Sequence, residues 1–164
     1  MNNYKSILDQ FPVFNVISQV ATAMGLETYV IGGFVRDLLL ERPSKDIDIV
    51  CVGNGIQLAK AVARAIDKNT KGKPTQVNYF KNFGTAQLKF NDWEVEFVGA
   101  RKESYNRQSR KPIVEDGTLV DDQKRRDFTI NALAIGLNTS TYGDLVDPFG
   151  GIHDLKRRYE FRNM

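Results

Sequence analysis

The chain has few of the residues on which several familiar chemistries depend. A single cysteine, Cys51, stands among 164 residues, which excludes a disulfide framework and points to a reducing compartment. A single histidine, His153, removes both a histidine-based mechanism and a multi-histidine metal site. No stretch of about 18 uninterrupted apolar residues is present. The N-terminus, MNNYKSILDQFPVF, lacks a basic segment followed by a long apolar run. The expectation is a cytoplasmic protein with no membrane span. No excess of charge of one sign is present, since 23 Lys and Arg against 20 Asp and Glu leave a net of only +3, which suits a nucleic-acid partner without demanding one. No internal repeat is visible, and 41% hydrophobic residues over this length suit one compact α/β domain, residues 1–164.

What is present concentrates first in Tyr29 to Val50, YVIGGFVRDLLLERPSKDIDIV. The β-branched and aromatic stretch Thr28 to Ile31 predicts a strand, and Gly32 and Gly33 let the chain turn sharply and approach a ligand with bare backbone. Phe34 to Glu41 predicts a helix. Its N-terminus beside the glycine pair favours phosphate, and Arg36, one turn in, adds a forked cation to the same anion. After the break at Pro43 and Ser44, Asp46-Ile47-Asp48-Ile49-Val50 predicts a second strand. Alternation places Asp46 and Asp48 on one face and Ile47, Ile49 and Cys51 on the core face. Two carboxylates so close repel unless neutralised, and a divalent cation such as Mg2+ does that with oxygen ligands. An isolated D-x-D is more often a turn cap beside a solvated charge; the glycine pair upstream shifts the reading towards a site.

The remaining segments read as scaffold and supplement. Lys5 to Met24 predicts one or two helices broken near Pro12 and ended by Gly25; Ile56 to Ile66 predicts another. Val77 to Lys81, Thr85 to Phe90 and Trp93 to Val98 predict strands, the last two joined at Asn91-Asp92. Glu94 and Glu96 share a face of the third. Each is either an edge-strand solubilising charge or the third carboxylate that a two-metal phosphoryl-transfer site needs beside a D-x-D pair. Arg101 to Thr118 predicts a long exposed loop whose Arg101, Lys102, Arg107, Arg110, Lys111 and Tyr105 suit RNA contact, or else a connector. In Asp121 to Gly136, Asp121 or Asp122 is expected to cap a helix running through Arg125, Arg126 and Asp127. Asp127 and Asn131 would share its face, the arginines facing a triphosphate and the Asp and Asn the ribose hydroxyls. Asp147 and Asp154 are expected to cap and brace.

Gly32-Gly33 followed by Asp46-x-Asp48 resembles the nucleotidyltransferase superfamily that includes DNA polymerase beta. The fuller GGFVRD and KDIDIV, the segment GTAQLKF and VEFVGAR, the ten residues RRDFTINALA from Arg125 to Ala134, and DPFGGIHDL are similar to the class II tRNA nucleotidyltransferases (CCA-adding enzymes) and the bacterial poly(A) polymerases. The resemblance spans about Tyr29 to Arg158. It implies a polymerase-beta-like α/β fold with a mixed sheet of about five strands flanked by helices. It further implies two Mg2+ ions held by Asp46, Asp48 and Glu96, and a nucleotide bound by Gly32, Gly33, Arg36, Arg125, Arg126, Asp127 and Asn131. The activity implied is template-independent addition of CCA to the 3′ end of tRNA from CTP and ATP, with loss of pyrophosphate.

The family's E-D-x-x-R base-selection motif is absent, since Glu115-Asp116 lacks the arginine three residues on. The chain is therefore expected to be the head domain of a longer enzyme with neck, body and tail domains, weakly active and poorly selective alone. Two other readings stay open: a poly(A) polymerase or an A- or CC-adding enzyme, and a non-catalytic RNA- or nucleotide-binding module. Aminoglycoside-type nucleotidyltransferases share the glycine and D-x-D pattern but not RRDFTINALA.

Overall fold

A computed structural model describes residues 3–105 and 112–162. The N-terminal helical stretch is two helices, α1 (Lys5–Leu8) and α2 (Pro12–Met24). Pro12 occupies the first turn of α2, where its missing N–H is not needed, and Gly25 closes the helix in the left-handed region at φ 70°. There follow β1 (Thr28–Ile31), α3 (Gly33–Leu39), β2 (Asp46–Cys51) and α4 (Gly55–Asn69). Next come β3 (Val77–Phe80), a 3-10 turn over Lys81–Phe83, β4 (Thr85–Phe90) and β5 (Trp93–Gly99). The C-terminal part holds β6 (Arg101–Tyr105), β7 (Pro112–Asp116), α5 (Leu119–Lys124), a second 3-10 turn (Thr129–Asn131), β8 (Ala134–Gly136), β9 (Leu145–Val146) and α6 (Gly151–Arg162).

Seven strands form one mixed sheet in the order β3-β4-β5-β2-β1-β8-β9. Among the described residues only β2 and β5 run parallel; the crossover between them passes through α4, β3 and β4. The expected five strands become seven with β8, which falls where Leu133 to Leu137 also reads as a strand, and with β9, whose two residues are too few to show alternation. Strand β5 lies between β2 and β4 rather than at an edge, so Glu94 and Glu96 are not edge-strand charges. Arg101 to Thr118, expected as a loop, instead contributes β6 and β7, which pair antiparallel from Arg101 opposite Asp116 to Tyr105 opposite Pro112. Arg107, Arg110 and Lys111 lie outside the described residues.

The two faces of the sheet differ. Val30, Ile47, Ile49, Cys51, Val95, Phe97 and Ile135 are buried on one face against α2, α3 and α4. At about 1.5–3 kcal/mol for each large apolar side chain removed from water, this face supplies most of the driving force. Phe11, Phe14, Phe34 and Trp93 seal its end with edge-to-face ring contacts at centroid distances from 5.2 to 6.1 Å. On the opposite face only Ile31, Val50, Ala100, Leu119 and Ala134 form a small core beneath α5. Beyond that core the face carries the carboxylates. Among the described residues, no helix is long and apolar enough to cross a membrane.

Burial on the core face pushes the Cys51 thiol up to about 12. Native protein treated with iodoacetamide near pH 8 is therefore expected to stay unmodified at Cys51 and to alkylate once unfolded in urea. Mass spectrometry of the two samples checks this, and rapid labelling of the native protein would contradict it.

Candidate active site

Strand pairing gathers the acidic residues. In the parallel pair, Asp46 stands beside Glu94 and Asp48 beside Glu96, on strands about 4.8 Å apart. The inward partners Ile47, Ile49, Val95 and Phe97 are fully buried, so the alternation that builds the core also turns the four carboxylates to the other face. Asp46 and Glu94 are exposed, while Asp48 and Glu96 are half-buried. The Asp48 carboxyl is raised above the usual carboxylate range, first by loss of water around it and then by the charges of Glu96 and Asp46; the Arg126 guanidinium pulls the other way. Asp48 is therefore short of positive charge.

Gly32 is the pivot of the site. It adopts φ 82° and ψ −140°, a backbone region that side chains rarely enter, and caps the start of α3 without any side-chain hydrogen bond. Its N–H donates to the Leu133 carbonyl at 3.1 Å, so the amides offered at the start of α3 begin with Gly33. A Cβ on Gly32 would meet Arg126 Nη1 at 3.4 Å, Asp48 Oδ2 at 3.7 Å and the Asn131 carbonyl at 3.8 Å. Gly32→Ala thus carries backbone strain, on the order of 1–3 kcal/mol, and sets a methyl in contact with the guanidinium and the carboxylate. The expected outcome is a lower melting temperature, and an unchanged one would show that the backbone there relaxes without cost.

Arg126 meets this pivot, Arg36 lies over the next residue, and Arg125 shares a carboxylate with Arg126. Arg36 folds back over Gly33, with Nη2 3.4 Å from where a Gly33 Cβ would lie. It donates from Nη1 to Asn131 Oδ1 at 3.0 Å and from Nε to Asp37 Oδ1 at 3.1 Å. Arg126 donates to the Asn131 carbonyl at 3.4 Å. Arg125 and Arg126 fork around one carboxylate, Asp122, which has no solvent exposure. Oδ1 of Asp122 accepts from Arg125 Nε and Nη2 at 3.3 and 3.0 Å and from the Arg101 backbone N–H at 3.0 Å. Oδ2 accepts from Arg126 Nε and Nη2 at 3.2 and 3.1 Å.

These contacts revise the expected local structure. Thr118, not Asp121 or Asp122, is the helix cap: its hydroxyl accepts from the Asp121 N–H at 3.2 Å, and the Asp121 carboxylate accepts from the Thr118 N–H at 2.9 Å. The helix stops at Lys124, and the 3-10 turn intervenes before Asn131, so Asp127 and Asn131 do not share a helical face. Asn131 turns to Arg36. Asp127 is exposed and lines, with Arg126, Gln123 and Thr129, a cavity of about 200 Å3. Asp122 is the residue that sequence reasoning missed as a brace. Its spacing of three and four residues before Arg125 and Arg126 was the readable signal. Gln123 braces the same region, donating to the Ala132 and Val146 carbonyls at 2.8 and 3.0 Å. Asp147 caps α6, accepting from the Gly151 and Ile152 N–H groups, and Asp154 accepts from the Thr129 hydroxyl.

The carboxylates suit a hard divalent cation by their chemistry, an all-oxygen donor set carrying mutual repulsion. As the side chains stand, no three or more His, Cys, Asp or Glu among the described residues are gathered tightly enough to hold a metal. Asp48 and Glu96 are already register neighbours, so side-chain rotation rather than backbone movement would close the set.

The family described as the poly A polymerase head domain matches residues 28–159. An A-adding tRNA nucleotidyltransferase of Aquifex aeolicus is 47% identical over 131 residues, which cover 80% of this chain and 15% of that protein. The structure of a CCA-adding enzyme in an apo form superposes with a TM-score of 0.82 at 34% identity, covering 94% of this chain and 37% of the other. A tRNA nucleotidyltransferase solved with a primer tRNA and an incoming ATP analog superposes with a TM-score of 0.71 at 44% identity, covering 85% and 36%. The chain thus spans well under half the length of these relatives.

Proposed function

The chain belongs to the poly A polymerase head-domain family, and from that membership we propose that it serves as the catalytic head of a nucleotidyltransferase extending the 3′ end of tRNA without a template. The observation that carries the proposal is the meeting of opposite charges across Gly32. Asp48, beside Glu96 and repelled by Asp46, lies on one side, and Arg126, held by a buried carboxylate, lies on the other. A triphosphate needs cations on its oxygens, and a reacting 3′-hydroxyl needs its proton drawn away; this arrangement suits both.

In this reading Asp46, Asp48 and Glu96 hold a pair of Mg2+ ions, which when bound polarise phosphoryl oxygens and make the hydroxyl more acidic. Arg36, Arg125 and Arg126 offset charge on the β- and γ-phosphates as pyrophosphate departs. The Gly33 amide and the absent side chain at Gly32 admit the phosphates to close range. Asn131 orients Arg36 through its Oδ1 and, with Asp127, offers polar groups to the ribose. No covalent enzyme intermediate is required.

CTP and ATP as substrates, and C, C and A as the added sequence, are the finer form of the proposal. The Aquifex relative is named for A addition alone, which keeps a division of labour between enzymes as the specific competitor. The test is to incubate the full-length protein with Mg2+, CTP, ATP and a tRNA lacking its 3′ end, beside an Asp46→Ala, Asp48→Ala control, and to sequence the product ends. Ordered C, C, A lost in the control supports the proposal in full. A alone, also lost in the control, points to the A-adding or poly(A) reading. No addition by either protein overturns the enzymatic reading in favour of a binding module.

A further inference from the structure

At the C-terminal ends of β2 and β5, away from Asp46, the surface opens into a groove of about 800 Å3. It runs from the Gly53-Asn54-Gly55 turn past Lys60 of α4 to the 3-10 turn after β3, and its inner wall includes Arg101. Two aromatic rings stand in it unprotected: Tyr79 is 50% exposed and Phe83 66%. Exposure on this scale is out of keeping with rings whose burial would each contribute a few kcal/mol, and such patches mark interaction surfaces. Lys60 already stacks its ammonium 4.4 Å from the centre of the Tyr79 ring. Arg101 Nη2 is buried without a hydrogen-bond partner, 3.8 Å from where a Gly84 Cβ would lie, so the guanidinium carries an unsatisfied donor beside the groove.

We propose that this groove docks a single-stranded stretch of RNA, with bases stacked on Tyr79 and Phe83 and phosphates held by Lys60, Lys81 and Arg101. The inference rests on the proposed RNA chemistry for the identity of the RNA, and on this surface for the contact. Aromatic rings interleaved with cations are what single-stranded nucleic acids use, since every base has a stacking face and every nucleotide a phosphate. A protein partner fits less well, because lysine is depleted at the centres of protein interfaces, whereas here a lysine lies directly on the central ring. The outer face of α4 continues the cationic wall through Arg64 and Lys68, at four-residue spacing from Lys60 and both exposed. Glu115 and Asp116 also line the groove, Asp116 in register with Arg101, so their repulsion favours phosphates at the Lys60 and Lys81 end.

The test measures binding of the full-length protein, without nucleoside triphosphate, to a fluorescein-labelled oligouridylate of about 12 nucleotides, within the span such grooves cover. A tRNA transcript lacking its 3′ end is measured alongside. Tyr79→Ala with Phe83→Ala is expected to weaken oligouridylate binding by about tenfold or more, from the loss of two stacking faces. Lys60→Gln with Lys81→Gln is expected to reduce the slope of log affinity against log salt by about 1.4, two single-strand phosphate contacts. If the aromatic pair fails to fold, Phe83→Ala alone, the most exposed ring, carries the same expectation at smaller size. Unchanged oligouridylate affinity together with an unchanged salt slope would overturn the proposal. So would a change only in self-association by sedimentation, which would assign the face to a protein partner. Nucleotide addition is measured alongside: normal addition by the unmodified protein with unchanged variant affinities discards the groove and leaves the activity standing, while no addition by the unmodified protein with the expected affinity losses in the variants does the reverse.

Discussion

Asp48→Asn is expected to lower nucleotide addition by about 10³-fold or more and, in metal-free buffer at neutral pH, to raise the melting temperature above that of the unmodified protein. The first effect follows from removing one of the charges that would hold the metal ions, a loss of several kcal/mol in the transition state at about 1.4 kcal/mol per factor of ten. The second follows from the raised carboxyl of Asp48, caused by burial, by Glu96 and by Asp46 against the opposing pull of Arg126. Because its folded pKa lies above the unfolded value, the native state binds more protons in the interval between them. Stability therefore declines as pH rises from the unfolded value through the folded one, and at neutral pH the whole penalty is present. Asparagine removes that penalty, and the gap in melting temperature should close as pH falls below the ordinary aspartate value. Thermal unfolding in EDTA across this range, paired with single-turnover addition, tests both halves. A variant that melts below the parent at neutral pH, or adds nucleotide within tenfold of it, would sink the assignment.

Asp122→Ala is expected to be the most destabilising single change in the site region. The carboxylate has no exposure and both its oxygens are engaged, by two guanidinium groups and the Arg101 N–H. Removing one partner of a buried pair typically costs 3–5 kcal/mol. Arg125 and Arg126 retain 26% and 21% exposure, so water recovers part of their charge and the lower end applies, about 3 kcal/mol. That corresponds to a fall in melting temperature of roughly 6–12 °C for a domain of this size. In addition, Arg126 loses the anchor that keeps it over Gly32, so KM for nucleoside triphosphate should rise even at temperatures where the variant is folded. Asp122→Asn, which keeps one acceptor, should recover part of the stability and less of the KM. A melting temperature within about 1 °C of the parent would show that the two arginines find other partners.

The legible parts of the fold were those governed by period and by punctuation. Strand alternation in DIDIVC gave both the core face and the carboxylate face of β2, and Pro12 and Gly25 marked the ends of α2 because their backbone restrictions act locally. The parts that were not legible depend on partners distant in sequence. Alternation placed Glu96 on a face, but only the parallel register set it beside Asp48 rather than on an edge strand. The span from Arg101 to Thr118 reads as a loop because it is mostly polar, with Ile113 and Val114 too brief an apolar run to show alternation. RRDFTINALA was recognisable as a motif, yet its geometry was misread. Thr118 and Asp121 form a capping box that ends the competition for the helix start, and the turn at Thr129 to Asn131 sends Asn131 to Arg36 instead of alongside Asp127.

The strand order β5-β2-β1-β8 also sets a timetable for a chain made from its N-terminus. Strands β1 and β2 are made one after the other, joined through α3, and each has an edge that only a later segment covers. Strand β5 supplies one edge when residue 99 is out, bringing Glu96 against Asp48. Strand β8 closes the other only when Gly136 reaches Tyr29. From residue 99 until Arg126 is made, the nascent chain carries these carboxylates without the guanidinium that offsets them.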